Sequence, residues 1–203
     1  MRALYRMVLP CGCRTIFLDD LGGADGSAHL VHQKPMPLLR AYDELFRMVT
    51  PPGLTLLEIG VNRGGSLPMW EILGFTGITG LDRAPALTAQ FVTHARDHTG
   101  AIRVVIEEAT NPVALGALQF DVIVDDGSHS FDDVTRILAR LWGKLSPGGL
   151  YIVEDWYSND SRPAELIAAL TAPMVRTPAK QEPDPDAPYR AFVWKNMVVL
   201  EKP

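Results

Sequence analysis

Five short apolar runs rich in β-branched residues punctuate this chain: Thr55 to Ile59, Gly77 to Leu81, Ile102 to Ile106, Asp121 to Val124 and Leu150 to Val153, with helix-patterned stretches between them. Runs of this kind are strands covered on both faces, and their alternation with helices predicts right-handed crossovers and a mostly parallel sheet. Two of the runs end in paired acids. Phe120 to Asp126 reads FDVIVDD and continues into Gly127-Ser128-His129, and Gly149 to Asp155 reads GLYIVED. Ligands of parallel sheets sit beyond the carboxyl ends of the strands. Acids gathered there repel one another, raise their own pKa values and cost stability unless a cation lies between them. A site for a hard metal ion is the leading expectation.

The flanking segments are less regular. Pro35-Met36-Pro37 introduces a helix whose apolar positions Leu38, Leu39, Tyr42, Leu45, Phe46 and Val49 follow helical spacing, and Thr50-Pro51-Pro52-Gly53 ends it. After His129, Ser130 is placed as an N-cap with Asp133 three residues on, and Val134, Ile137, Leu138, Leu141 and Leu145 form one apolar face that Ser146-Pro147-Gly148-Gly149 stops. A further helix is expected near Pro163 to Leu170, a loop or lid from Pro178 to Pro188, and a closing antiparallel hairpin from Tyr189 to Lys202 around Lys195-Asn196. The start, Met1 to Cys11, reads as a loosely attached arm, so residues 1–50 are an N-terminal arm and helix and 51–203 the main domain.

With 203 residues and 47% hydrophobic content, one domain has enough material for a sizeable core. The formal net charge is -5 and the basic residues are scattered, which argues against a nucleic-acid partner. Cys11 and Cys13 flank a single glycine, too close for an unstrained disulfide and without a second pair for zinc, which points to a reducing, cytoplasmic setting. No uninterrupted apolar run is long enough for a membrane span, and no membrane partner is expected.

After the first strand comes Glu58-Ile59-Gly60-Val61-Asn62-Arg63-Gly64-Gly65-Ser66, a glycine-rich turn into a helix of the kind that marks a nucleotide-binding crossover. Asn62 stands where a dinucleotide fingerprint has its second glycine, and the lysine of a P-loop is missing. A ligand without phosphates suits this looser loop, and S-adenosylmethionine is one: Glu58 would meet positive charge, and Asp82, 22 residues after Gly60, would accept the ribose hydroxyls. NAD would use the same acid. The plainer alternatives are that Gly60, Gly64 and Gly65 are turn glycines, Glu58 a strand-edge acid and Asp82 a helix cap before Pro85. Glu108, after the third strand, is the candidate for the adenine side or else a solvated charge.

Taken together, Leu57-Glu58-Ile59-Gly60 with Gly64-Gly65-Ser66, Asp121 to His129, Pro147-Gly148-Gly149-Leu150-Tyr151 and Glu154-Asp155 resemble the class I methyltransferases. The likeness is specifically to the metal-dependent O-methyltransferases of macrolide and other natural-product sugars and their cephalosporin-pathway relatives. It covers about residues 54 to 203. The resemblance implies a Rossmann-like α/β fold, with a mostly parallel seven-stranded sheet in the order 3-2-1-4-5-7-6 and helices on both faces. It further implies S-adenosylmethionine and magnesium (Mg2+) as cofactors, Asp126, Glu154 and Asp155 as metal ligands, and His129 as general base. Cofactor contacts are expected from Glu58, Gly60, Asn62, Gly64, Ser66, Asp82, Glu108 and Asp125. The family's N-terminal Thr-Asp-Lys has only Ala24-Asp25-Gly26 as its counterpart here, without the lysine.

Independent chemistry supports these roles. A sugar hydroxyl is a poor nucleophile at neutral pH, a carboxylate-bound divalent cation would lower its pKa, and His129, three residues from Asp126, would take the proton. The plainer alternatives are that Asp125 contacts the cofactor or caps backbone amides, and that His129 is a histidine at a helix start with no chemistry. His94 with His98, and His29 with His32, read as surface and loop residues, while Trp156 and Tyr157 suit either core packing or stacking on an acceptor. The expectation is an O-methyltransferase acting on a hydroxyl of a sugar or glycosylated natural product. A catechol or phenol is the alternative acceptor, and a non-catalytic cofactor-binding partner subunit the alternative class. An NAD-dependent oxidoreductase is disfavoured by Asn62. The apolar helix near Leu38 to Val49 would suit a homodimer.

Overall fold

The computed structural model describes residues 5–8, 15–18, 34, 38, 41, 42, 44–46, 53–87, 92, 102–155, 168, 190–194 and 197–203. The expectations for His29, His32, His94, His98, Trp156, Tyr157, the 178–188 loop and the Lys195-Asn196 turn lie outside them.

Strands β1 (Tyr5–Val8) and β2 (Thr15–Leu18) form an antiparallel pair, with Tyr5 opposite Leu18 and Val8 opposite Thr15. Tyr-Arg-Met-Val and Thr-Ile-Phe-Leu are both strand-favouring tetrads, close enough in sequence to pair antiparallel.

The main sheet comprises β3 (Thr55–Ile59), β4 (Gly77–Asp82), β5 (Ile102–Ile106), β6 (Phe120–Asp125), β7 (Leu145–Val153), β8 (Arg190–Trp194) and β9 (Met197–Glu201). Their order across the sheet is β5-β4-β3-β6-β7-β9-β8, seven strands among the described residues. The first five in that order run parallel, while β9 is antiparallel to both β7 and β8.

Successive residues of a strand face opposite sides, and both sides are apolar here. Leu56, Val122, Val124, Leu150 and Ile152 belong to one core layer with Leu67 and Trp70 of helix α1 (Ser66–Ile72). Leu57, Ile59, Ile123, Tyr151 and Val153 belong to the other, with Val134, Ile137, Leu138 and Leu141 of helix α2 (Phe131–Leu141). Leu38, Ala41, Tyr42, Leu45 and Phe46 join the first layer. There Tyr42, Phe46, Trp70 and Phe75 make edge-on contacts at centroid distances of 4.9 to 6.3 Å, apart from the stacked pair Tyr42 and Phe46 at 5.5 Å.

Helix α2 starts as its sequence predicts: the Ser130 hydroxyl accepts from the Asp133 amide at 3.4 Å. It ends at Leu141, earlier than the apolar spacing implied. A single 3-10 turn, Trp142–Lys144, follows, and Leu145 opens β7 rather than closing the helix face. Leu145 is buried either way, so spacing alone could not tell the two apart. Among the described residues, no helix is long and apolar enough to cross a membrane.

Candidate active site

The parallel register brings the strand ends level: Ile59 lies opposite both Leu81 and Asp125, and Asp125 lies opposite Val153. Backbone hydrogen bonds carry the ladder past the strands, from the amides of Gly60 to Leu81, Glu107 to Asp82, Asp126 to Ile59 and Glu154 to Asp125, at 2.9 to 3.0 Å. The chain leaves four adjacent strands at one height, and the acids that follow them converge.

A cleft of about 690 Å³ opens over these ends, within the usual range for small-molecule sites. Gly60, Asn62, Ser66, Asp82, Glu108, Asp126, His129 and Asp155 line it, as do Lys34 and Arg136. Among the described residues, the non-glycine positions with positive φ are Asn62 (46°), His129 (55°) and Asp155 (48°), all in this lining. Such backbone is costly outside glycine and collects where neighbouring structure holds a functional side chain in place.

On the β4 side, both Asp82 oxygens accept from backbone, Oδ2 from the Asn62 amide and Oδ1 from the Ala84 amide, each at 2.9 Å. The carboxylate is thus aimed and retains further lone pairs. Gly64 donates to Val61 O at 2.8 Å with φ of 78°, shaping the turn without lining the cleft.

Beneath the cleft lies a buried polar layer. The Asp125 side chain accepts from the Tyr151 hydroxyl at 3.0 Å and from the Gly127 amide at 3.3 Å, and is 1% exposed. Burial pushes its pKa up to about 6, although both hydrogen bonds oppose the rise. It caps an amide, and it does not line the cleft. Glu58 is equally buried, accepting from the Ser66 hydroxyl at 2.7 Å. Burial raises its pKa against the lowering effect of Lys34.

Lys34 was not anticipated. Its Nζ donates to Asp126 Oδ2 at 2.9 Å and to Glu154 Oε1 at 2.7 Å, and pairs with Glu58 Oε1 at 3.1 Å. Burial alone would lower its pKa, but the charges of Glu58, Glu154 and Asp126 outweigh that and hold it above its ordinary value. Glu154 also accepts from the Tyr42 hydroxyl, and burial pushes its own pKa up to about 7. Only the lysine beside Pro35 and a tyrosine on an apolar helix face were visible in the sequence. Nothing in local spacing joins Lys34 to partners 92 and 120 residues away.

The three acids expected to hold metal each keep an oxygen that Lys34 does not touch. Glu154 Oε2 and Asp155 Oδ1 are buried without a hydrogen-bond partner, and Asp126 Oδ1 faces His129 Nε2 at 3.9 Å. Such orphaned carboxylate oxygens, costly to bury, are hard donors of the type magnesium prefers. Among the described residues, no three of His, Cys, Asp or Glu are drawn together tightly enough to enclose an ion as they stand. The donor chemistry fits, and closure around an ion would require these side chains to move.

Sheet order, glycine turn and cleft define a Rossmann-like methyltransferase fold with a mostly parallel sheet. Over 128 residues, 57% of this chain, the sequence is 31% identical to the 8-demethyl-8-alpha-L-rhamnosyl tetracenomycin-C 2'-O-methyltransferase of Streptomyces olivaceus, covering 32% of that protein. Over 128 residues, 58% of this chain, it is 34% identical to the mycinamicin VI 2''-O-methyltransferase of Micromonospora griseorubida, covering 31% of it. The chain thus spans about a third of the length of the curated relatives it matches. Among solved structures, the MycE methyltransferase of the mycinamycin biosynthetic pathway, in complex with Mg and SAH, matches with a TM-score of 0.59 and 25% identity over 80% of this chain and 48% of that one. A didemethyltoxoflavin N1-methyltransferase from Burkholderia thailandensis shares the fold at a TM-score of 0.59 and 17% identity, over 82% of this chain and 78% of its own. No family model matches the sequence.

Proposed function

We propose that this chain is a magnesium-dependent O-methyltransferase that uses S-adenosylmethionine to methylate a hydroxyl of a sugar or glycosylated natural product. One observation carries the reading: a single cleft holds Gly60, Asp82 and Glu108 beyond β3, β4 and β5, and Asp126, His129 and Asp155 beyond β6 and β7. The first group would hold a cofactor, and the second would stand at its reactive end. The likeness to sugar O-methyltransferases, and to one bound to Mg and SAH, supports the choice of cofactors and acceptor.

In this reading the Asp82 carboxylate accepts the ribose hydroxyls, Glu108 lies on the adenine side, and Gly60 opens the turn that faces the ligand. Asp126, Glu154 and Asp155 would hold magnesium, which when bound supplies a Lewis acid that lowers the pKa of the acceptor hydroxyl. His129 takes the hydroxyl proton on a ring nitrogen. Its side chain is 42% exposed, so the proton can afterwards pass to solvent. The acceptor oxygen forms a bond to the sulfonium methyl carbon as the carbon–sulfur bond breaks, and the electron pair stays on sulfur. The products are a methyl ether, S-adenosylhomocysteine and a proton. Because charge is neutralised on transfer, alignment and exclusion of water supply much of the rate.

The test is methyl transfer from labelled S-adenosylmethionine to a panel of rhamnosylated and other glycosylated acceptors, with and without chelator. Transfer that stops on chelation and returns with magnesium is expected. Cofactor binding without turnover on any hydroxyl acceptor would favour a binding subunit instead.

A further inference from the structure

The mechanism gives the buried lysine Lys34 no task. Lys34 is 2% exposed at its side chain, and its Nζ reaches acids that follow or end three different strands, Glu58 of β3, Asp126 after β6 and Glu154 after β7. The ammonium also stands 5.4 Å from the centroid of the Trp70 ring, a favourable position for a cation. An ammonium has three N–H groups, and three carboxylates surround this one. Its single positive charge is shared among three carboxyl groups. The oxygens it leaves unengaged, Glu154 Oε2 and Asp155 Oδ1, are buried and lack partners.

We infer that Lys34 is a tethered counter-ion that keeps the carboxylate cluster folded before a divalent cation arrives and sets that cation's affinity by competing for Asp126 and Glu154. The inference rests on the proposed metal ligands. Lys34 bridges two of the three, so an ion held there binds against a fixed positive charge a few ångströms away. The lysine lowers the ion's affinity and raises the stability of the metal-free protein, two effects of opposite sign from one side chain. A lysine that served only to fill space would produce neither.

The experiment is calorimetric titration of magnesium into the S-adenosylhomocysteine complexes of the wild type, Lys34→Met and Lys34→Arg, with melting curves in chelator and in magnesium. Lys34→Met should melt lower in chelator, bind magnesium at least about tenfold more tightly, and gain more from it than the wild type does. Lys34→Arg, which keeps the charge, should bind like the wild type. If Lys34→Met is unfolded in chelator, magnesium should restore its far-ultraviolet dichroism, and failure to restore it would overturn the inference. If the wild type binds magnesium and Lys34→Met binds it no more tightly, the inference falls and the proposed metal ligands stand. If neither binds magnesium, both fall.

Discussion

Gly60, at the end of β3, lies directly against the backbone of Asp126, at the end of β6: a Cβ on Gly60 would stand 2.7 Å from the Asp126 carbonyl carbon and 3.0 Å from the Gly127 Cα. Its φ of +88° is also one that side chains avoid. The two strand ends that carry the glycine turn and the acid pair meet here, beside the hydrogen bond from the Asp126 amide to Ile59 O. Gly60→Ala should therefore cost about 2–4 kcal/mol and displace Asp126, weakening S-adenosylhomocysteine binding as well. Urea unfolding and calorimetric titration read the two effects, and a wild-type midpoint with wild-type affinity would contradict the contact.

His129 is held by a strained backbone at φ 55° and lies open to the cleft, with no packing role in either core layer. His129→Ala should leave melting temperature and S-adenosylhomocysteine affinity close to wild type while lowering kcat by about 10²–10⁴. Equal loss of cofactor affinity and turnover would mean that the imidazole binds cofactor and is not a base.

Much of this site is legible in the sequence because it is built from strand ends. Runs such as Phe120 to Asp126 announce both the strand and the acids that leave it, and parallel pairing then needs no further information to bring Asp82, Asp126 and Asp155 level. The start of α2 is equally local, since Ser130 and Asp133 meet within one turn. Depth is harder to read. Asp125 and Asp126 are neighbours, yet alternation along β6 turns Asp125 under the sheet toward Tyr151 and leaves Asp126 in the cleft. Lys34 and Tyr42 reach the acids only through tertiary packing of a segment whose sequence shows an apolar helix face, so their contacts leave no local pattern.

Tyr42 offers a test of that buried layer. Its ring packs edge-on against Trp70 at 4.9 Å, and its hydroxyl donates to Glu154. Tyr42→Phe keeps the ring contacts and removes one donor from a buried carboxylate. The expected loss is about 1–3 kcal/mol in the urea midpoint, measured in chelator. No loss would show that Lys34 alone satisfies Glu154 Oε1.

Asp125 gives a pH dependence whose sign is set by its surroundings. Its pKa is about 6 in the folded chain against an ordinary 3.8, because it is buried. Between those values the native state holds a proton that the unfolded chain has released. Stability therefore falls as pH rises through this window, and is constant with respect to this group on either side of it. The difference amounts to about 3 kcal/mol, present in full below the window and lost above it. Asp125→Asn cannot titrate. Its amide keeps one accepting oxygen and puts a donor in place of the other, which weakens one of the bonds from Tyr151 and Gly127 at a cost that does not vary with pH. The group at Glu154, raised to about 7, titrates in both proteins and drops out of the comparison. In chelator, the stability of Asp125→Asn relative to wild type should climb steadily from about pH 4 to about pH 6.5 and then level off. Urea unfolding at half-unit intervals reads the slope, and parallel curves for the two proteins would place a permanently charged Asp125 in the fold.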